Sequence, residues 1–247
     1  MADERMNRIS TGIKGFDGLV GGGFPEGAMV LLTGLPGVGK TIFGMQFIYN
    51  GARKGENGVY ICIESSPAEL KSQAAMFGMD FDAVEKEGRI TFLRIPKGNV
   101  RFNLFQMISD AVNRTGAKRI VFDNVATYMV SLGRFVALWD ETLSDVNEKA
   151  RNMQIKDADG QMIVYSIIEQ LKSLGRTCIV ITHGDESGAK LTSDGISEYL
   201  CDGIVKLDIV ELGREPTRII KVTKMRQTKN TLELREFEIT DRGIEVG

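Results

Sequence analysis

The chain has 247 residues, 43% of them hydrophobic and 26% charged, which is typical of one large globular domain or two small ones. The net charge of −2 provides no overall attraction to nucleic acid or membrane, although a ring could still carry a basic channel on near-neutral subunits. No segment approaches the roughly 20 apolar residues of a membrane span, and the first residues lack an apolar signal core. We therefore expect a cytoplasmic protein.

Cysteine and histidine usage narrows the chemistry further. The three cysteines, Cys62, Cys178 and Cys201, lie far apart and are predicted to be small buried residues in a reducing compartment, rather than metal ligands or disulfides. With a single histidine, His183, the chain cannot form a metal site built from several histidines, and a Ser–His catalytic triad would have no second histidine to draw on.

The first part of the chain leads into a phosphate-binding loop. Residues 8–27 are rich in glycine and predict turns rather than long elements. The apolar run at 29–33 predicts a strand. Apolar residues at helical spacing begin at Ile42, and Gly51 is expected to end that helix.

The segment between this strand and helix has two glycines separated by four residues, followed by Lys and Thr. Glycines let the backbone curl closely around a polyphosphate, so that amide N–H groups and the helix N-terminus face it. Lys40 would contact the β- and γ-phosphates, and the Thr41 hydroxyl would bind Mg²⁺. A chance glycine loop is the weaker alternative. The predicted nucleotide-binding residues are Gly34, Leu35, Pro36, Gly37, Val38, Gly39, Lys40 and Thr41.

The rest of the chain alternates strands and helices. Strands are predicted at 59–63, 90–95, 119–123, 177–182, 203–212, 217–224 and 231–240, and helices at 67–77, 81–87, 103–114 and 162–174. Residues 124–158 predict a loop, a mobile insertion and helical pieces. This order predicts an α/β fold, with a mostly parallel central sheet covered by helices on both faces. The last strands are expected to extend the sheet as antiparallel hairpins, within one domain over residues 1–247.

Three polar residues stand at the carboxyl ends of predicted strands, where open α/β sheets bind ligands. Asp123 is the candidate Mg²⁺ ligand, against the alternative of a strand-terminal turn residue. Glu64 is the candidate general base that activates water, against the alternative of a helix-capping acid. His183 could sense the γ-phosphate, or it could simply mark where a strand emerges into solvent.

Several segments of the chain together resemble the KaiC-like domain, a group of RecA-superfamily P-loop ATPases that includes many single-domain archaeal paralogues. The resemblance covers nearly the whole chain and is weak only between residues 125 and 160. The matching segments are 8–17, 21–27, 34–41, 46–51, 224–226 and 235–244.

The resemblance implies a RecA-like core assembled as a homo-oligomeric ring, usually a hexamer, with ATP between subunits. The loop, Glu64 and Asp123 would act within one subunit. Lys224 and Arg226 match positions that reach the neighbour's γ-phosphate, where cations stabilise charge on the transferring group. Apart from the resemblance, both would be interpreted as solvated charges beside a turn.

Two departures from the family pattern affect the expected activity. Glu64-Ser65 stands where the family often has two adjacent glutamates, so slow turnover is expected. The family includes a circadian clock protein, one half of which phosphorylates itself at a Ser-Thr pair. Glu198-Tyr199 occupies the place of that pair here, so autophosphorylation there is disfavoured.

The sequence thus favours an ATPase that uses ATP, forms ADP and depends on Mg²⁺. One alternative is a low-turnover nucleotide switch that controls docking of an unidentified protein partner. Another is a RadA-like DNA-binding recombination ATPase, by analogy of fold, for which the near-neutral charge is unfavourable.

Overall fold

The computed structural model describes residues 7–95, 104–129, 157–185, 190–212 and 215–247. The described residues form eleven strands: β1 Arg8–Ile9, β2 Phe24–Pro25, β3 Met29–Thr33, β4 Gly58–Cys62, β5 Ile90–Arg94, β6 Arg119–Asp123, β7 Thr177–Ile181, β8 Gly203–Leu212, β9 Glu215–Met225, β10 Arg235–Thr240 and β11 Gly243–Val246. The principal helices span Phe16–Leu19, Lys40–Arg53, Pro67–Ala75, Phe81–Lys86, Leu104–Thr115, Asp157–Ser173 and Ser197–Leu200.

Nine strands form one sheet in the order β11-β10-β9-β8-β3-β7-β6-β4-β5. The six strands from β8 to β5 in this order are parallel, whereas β9, β10 and β11 add antiparallel strands beyond β8. A separate two-stranded sheet pairs β1 with β2. The predicted fold, a mostly parallel sheet with antiparallel strands at its C-terminal end, is therefore confirmed.

Helices cover both faces of the sheet. Successive side chains of a buried strand point to opposite faces, so such a strand contributes to two hydrophobic clusters. In β3, Val30 and Leu32 join the hydrophobic cluster that includes the helix Lys40–Arg53. Met29 and Leu31 join the second cluster, to which the helices Leu104–Thr115 and Asp157–Ser173 contribute.

The glycine-rich lead-in packs over the first of these clusters, as short elements and turns. Its centre is Asp17, whose carboxylate accepts hydrogen bonds from Ser10 Oγ at 2.7 Å and from the Thr11 amide at 2.9 Å. Next to it, Phe16 packs edge-on against Phe43 of the helix Lys40–Arg53, with ring centroids 5.0 Å apart. These contacts fix the lead-in to the helix Lys40–Arg53.

The predicted end of that helix at Gly51 is wrong, since the helix continues to Arg53. Gly51 lies inside the helix because Arg119 occupies the space that a side chain there would need. A Cβ on Gly51 would lie 2.3 Å from Arg119 Nε. The Arg119 guanidinium also donates to the Phe47 carbonyl at 2.8 Å and forms an ion pair with Glu56.

The prediction of one strand over 231–240 is also wrong at its beginning, because β10 starts at Arg235. Among the residues that the structure describes, β10 pairs with β9 at Arg235 and Glu236 alone. The preceding residues leave the ladder, where Asn230 Nδ2 donates to the Val222 carbonyl at 3.0 Å. The sequence prediction also missed β11, whose four residues pair antiparallel with β10.

Other boundaries differ more modestly from the predictions. The helix predicted at 162–174 begins earlier, at Asp157, and the helix predicted at 67–77 ends at Ala75. The predicted insertion within 124–158 lies mostly outside the described residues, apart from a helical segment over 125–129. All three cysteines are buried, as predicted.

Candidate functional site

The segment between β3 and the helix Lys40–Arg53 forms a tight loop that depends on glycine. Gly34, Gly37 and Gly39 have φ values of 150°, 79° and 114°, which L-residues with side chains rarely adopt. A Cβ on Gly34 would lie 2.2 Å from the carbonyl oxygen of Leu207. The loop can therefore approach β8 closely and lead into the helix N-terminus, where unpaired amides can bind an anion.

Lys40 is the first residue of that helix and is 8% exposed. Its Nζ donates hydrogen bonds to the carbonyls of Gly34 at 2.7 Å and Leu35 at 2.8 Å. Burial lowers the pKa of Lys40 to about 8, with the charges of Asp123 and Glu64 opposing that shift. The loop thus positions a poorly solvated cation at the place where phosphate oxygens would be stronger acceptors.

Thr41 and Asp123 meet beside this lysine. Thr41 Oγ1 donates to Asp123 Oδ2 at 3.0 Å, and the buried Tyr60 hydroxyl donates to the same oxygen at 2.8 Å. Burial raises the pKa of Asp123, while these two hydrogen bonds lower it. A hydroxyl and a carboxylate are the oxygen ligands that Mg²⁺ prefers, so the donor set fits this ion.

Glu64 lies two residues beyond the end of β4 and reaches across to the residues that follow β6. Its Oε2 accepts hydrogen bonds from Asn124 Nδ2 at 2.9 Å and from Thr127 Oγ1 at 3.3 Å. Glu64 is exposed, whereas Asn124 is 4% exposed. The carboxylate is therefore held at the surface of the site by a buried partner.

His183 lies two residues beyond β7 and is half-buried. Burial lowers its pKa, and the nearby charge of Lys40 contributes in the same direction. Its backbone carbonyl accepts a hydrogen bond from the Ser193 amide at 3.0 Å. A neutral imidazole near a phosphate could accept or donate a hydrogen bond without adding a second fixed charge.

A cavity of about 340 Å³ joins these side chains. The cavity is lined by residues at the carboxyl ends of β4, β6 and β7 and at the start of the helix Lys40–Arg53. The fold therefore brings together the residues that were predicted to act within one subunit. Sequence reasoning missed Asn124, Gln73 and Tyr60; only Tyr60, a tyrosine in an otherwise aliphatic strand, offered a signal. The lining residues are Pro36, Gly37, Gly39, Lys40, Thr41, Ile42, Glu64, Ser65, Gln73, Asp123, Asn124, Ile181 and His183.

Lys224 and Arg226 do not line this cavity. Met225 pairs with Gly203, which in turn pairs with Val30 near the start of β3, whereas the loop follows the other end of β3. The two cations therefore lie near the amino ends of the parallel strands, whereas the loop of their own chain follows the carboxyl end of β3. Lys224 Nζ donates to the Cys201 carbonyl at 2.6 Å, and Arg226 is paired with Asp202 at 3.0 Å.

A glycine loop at the carboxyl edge of a parallel sheet, followed by a helix that begins with Lys-Thr, defines a P-loop protein. The strand order, with antiparallel strands added beyond β8, defines its fold as RecA-like. Among the described residues, no helix is sufficiently long and apolar to cross a membrane.

Comparison with known proteins gives the family. The family model described as "ATPase: KaiC" matches residues 9–137 and 145–247. The chain belongs to this KaiC ATPase family.

Relatives of similar length support this assignment. A UPF0273 protein of Thermotoga maritima is 31% identical, with 97% of this chain and 95% of that protein aligned. A UPF0273 protein of Pyrococcus furiosus is 30% identical, over 97% of this chain and 93% of the relative. Among solved structures, a KaiC-like protein of Pyrococcus horikoshii OT3 matches with a TM-score of 0.81 and 34% identity, covering 98% of this chain and 99% of that one.

Proposed function

We propose that the protein is a Mg²⁺-dependent ATPase that hydrolyses ATP at interfaces between copies of itself in a ring. The observation that carries the proposal is the convergence of Lys40, Thr41, Asp123 and Glu64 on one cavity. A loop that only bound a phosphate would need Lys40 but neither of the two carboxylates, Asp123 and Glu64, that lie in the same cavity. The whole chain is taken to act as one domain.

The loop and Lys40 bind the triphosphate in this proposal. The Lys40 ammonium exchanges the carbonyls of Gly34 and Leu35 for phosphate oxygens, which are charged and therefore better acceptors. Thr41 and Asp123 would hold Mg²⁺, which would neutralise charge on the phosphates. The Tyr60 hydroxyl keeps the Asp123 carboxylate oriented toward Thr41.

Glu64 acts as the general base for the attacking water. Its Oε2 is engaged by Asn124 and Thr127, and no hydrogen bond to Oε1 is found among the described residues. Oε1 is therefore the oxygen that accepts a proton from water. His183 contacts the γ-phosphate from the adjoining strand end.

A second copy of the chain completes the site. Lys224 and Arg226 are too far along the sheet to reach the loop of their own chain. In a ring, usually a hexamer in this family, they would face the phosphates of the neighbouring subunit and stabilise the charge that develops there.

The test is Mg²⁺-dependent phosphate release by the wild type, by Lys40→Ala and by Lys118→Ala. Lys118 is an exposed lysine outside the cavity and serves as the matched control. We expect Lys40→Ala to lose at least about 100-fold in rate, consistent with removal of a transition-state cation, and Lys118→Ala to retain full activity. Equal rates for the Lys40 variant and the wild type would reject the proposal.

A low-turnover nucleotide switch is the second candidate, because Glu64 has serine rather than a second glutamate beside it. Glu64→Gln separates the two functions. An ATPase loses phosphate release and retains ATP binding after this change, whereas a switch shows unchanged nucleotide turnover and partner binding. Adding single-stranded DNA to the same assay tests the recombinase alternative, which requires stimulation that falls as salt rises.

A further inference from the structure

Asn124 directly follows β6 and begins the helical segment over 125–129. Its Oδ1 accepts a hydrogen bond from the Thr127 amide at 2.7 Å, and its carbonyl accepts one from the Tyr128 amide at 3.2 Å. This is the geometry of a helix N-cap, in which the side-chain oxygen binds the amide three residues later. The cap therefore determines which way the Asn124 amide group faces.

That orientation determines what the other end of the side chain can do. With Oδ1 committed to the Thr127 amide, Nδ2 must point away from the cap, and it donates to Glu64 Oε2 at 2.9 Å. Asn124 is 4% exposed, so water cannot easily replace this bond. Thr127 Oγ1 donates to the same carboxylate oxygen at 3.3 Å.

We infer that Asn124 is a positioning residue for Glu64: it holds Oε2 so that Oε1 faces the water that attacks ATP. The inference rests on the proposed function, because it assigns Glu64 the role of base. Glu64 itself is exposed on a short connection after β4, and without this partner its carboxylate would sample several rotamers. A base that is displaced by about 1 Å can lose as much as 10²-fold in rate.

The key variant is Asn124→Ser. A serine hydroxyl still caps the helical segment over 125–129, but it lacks the amide donor and the length to reach Glu64. We expect roughly a 10- to 100-fold loss of kcat, with the Kd for ATP changed less than about 3-fold, since the loop and Lys40 are untouched. Asn113→Ser is the matched control, because Asn113 is exposed on another helix and its side-chain Nδ2 donates to Ser109 Oγ at 3.3 Å, away from the cavity. It should retain wild-type kcat.

A double-mutant cycle distinguishes positioning from a general effect on the fold. If Asn124 acts through Glu64, Asn124→Ser should cause no further loss of rate in a Glu64→Gln background. An equal loss in both backgrounds would overturn the inference, as would wild-type kcat for Asn124→Ser alone.

A crystal structure of nucleotide-free Asn124→Ser tests the same inference without relying on hydrolysis. We expect the Glu64 carboxylate to adopt another rotamer or to lose its order, while Asp123 and Thr41 stay in place. A Glu64 carboxylate that remains in its wild-type position would reject the positioning role. Failure of Lys40→Ala to reduce phosphate release would instead reject the proposed function, so the two failures are distinguishable.

Discussion

Thr41 Oγ1 donates a hydrogen bond to Asp123 Oδ2 at 3.0 Å. This bond joins the first turn of the helix Lys40–Arg53 to the carboxyl end of β6, and the two residues are 82 positions apart in sequence. The two oxygens could bind one divalent cation only if they lie within a few ångströms of each other. The sheet order, with β6 beside β7 and β7 beside β3, sets this distance.

Replacing either of these two residues should weaken the binding of Mg²⁺. We expect Thr41→Val and Asp123→Asn each to lower phosphate release by at least about 10-fold, because each removes an oxygen that would hold the metal on the phosphates in the proposed mechanism. A titration of MgCl₂ at saturating ATP measures the effect. Thr41→Ser keeps the hydroxyl and should stay near wild type; wild-type Mg²⁺ dependence in both Thr41→Val and Asp123→Asn would contradict the assignment.

Arg226 and Lys40 should complement each other when supplied by different subunits. Subunits with Lys40→Ala have an inactive loop and an intact Arg226, whereas subunits with Arg226→Ala have the reverse. In a mixed ring, some interfaces combine the intact loop of one subunit with the intact arginine of the next. We expect phosphate release from the mixture to exceed that of either variant alone.

The Arg226→Ala subunit should fold normally, since its ion pair with Asp202 is partly exposed and such pairs contribute about 0–1 kcal/mol. Thermal melts of each variant provide the control. If the mixture showed only the average activity of its components, the arginine would not act between subunits.

Gly51→Ala should destabilise the protein although alanine favours helices. Helix propensity alone predicts a gain of about 1 kcal/mol, but the new Cβ would lie 2.3 Å from Arg119 Nε and 2.4 Å from its Cδ. Displacing a buried arginine that is bonded to Glu56 and to the Phe47 carbonyl should cost more, giving a net loss of about 1–3 kcal/mol. Urea unfolding measures this difference.

Gly18→Ala is the matched control for this helix substitution. Gly18 lies in the helix Phe16–Leu19, and a Cβ there would have no neighbour within 4 Å. The free energy of unfolding of the Gly18→Ala variant should equal that of the wild type or exceed it by up to about 1 kcal/mol. A stabilised Gly51→Ala would show that Arg119 can move aside without cost.

The three cysteine thiols should be inert in the native state. Burial raises the pKa of Cys62 to about 11 and that of Cys201 to about 12, and raises the pKa of Cys178 as well. A raised thiol pKa reduces the reactive thiolate, to about one in a thousand at pH 8 for Cys62. We expect negligible reaction with Ellman's reagent at pH 8 and rapid labelling of all three in urea. Rapid labelling of the native protein would contradict the buried positions.

Much of the lining of the cavity could be predicted because the signals are local. The glycines, Lys40 and Thr41 occupy one short loop, and each has a steric or electrostatic reason to be at its position. Glu64 and Asp123 follow apolar strands, whose carboxyl ends meet at one edge of a parallel sheet. Asn124 could not be found in this way, because its role depends on a hydrogen bond to a residue 60 positions away.

The errors in the fold also arose from distant contacts. Gly51 has the local appearance of a helix end, but a buried arginine from β6 fills the space beside it. The separation of Lys224 and Arg226 from their own loop follows from the antiparallel register of β9 with β8, which is not encoded in their local pattern.

By itself, the sequence determined the phosphate-binding loop, the alternation of strands and helices, and the acids at the strand ends. These features depend on backbone sterics and on the period of hydrophobic residues, both of which act within a few positions along the chain. Only the tertiary structure decided which side chains share the cavity, which partner orients Glu64, and at which edge of the sheet the two cations lie. Those relationships depend on strand order and register, because pairing between strands places residues far apart in sequence within hydrogen-bond distance.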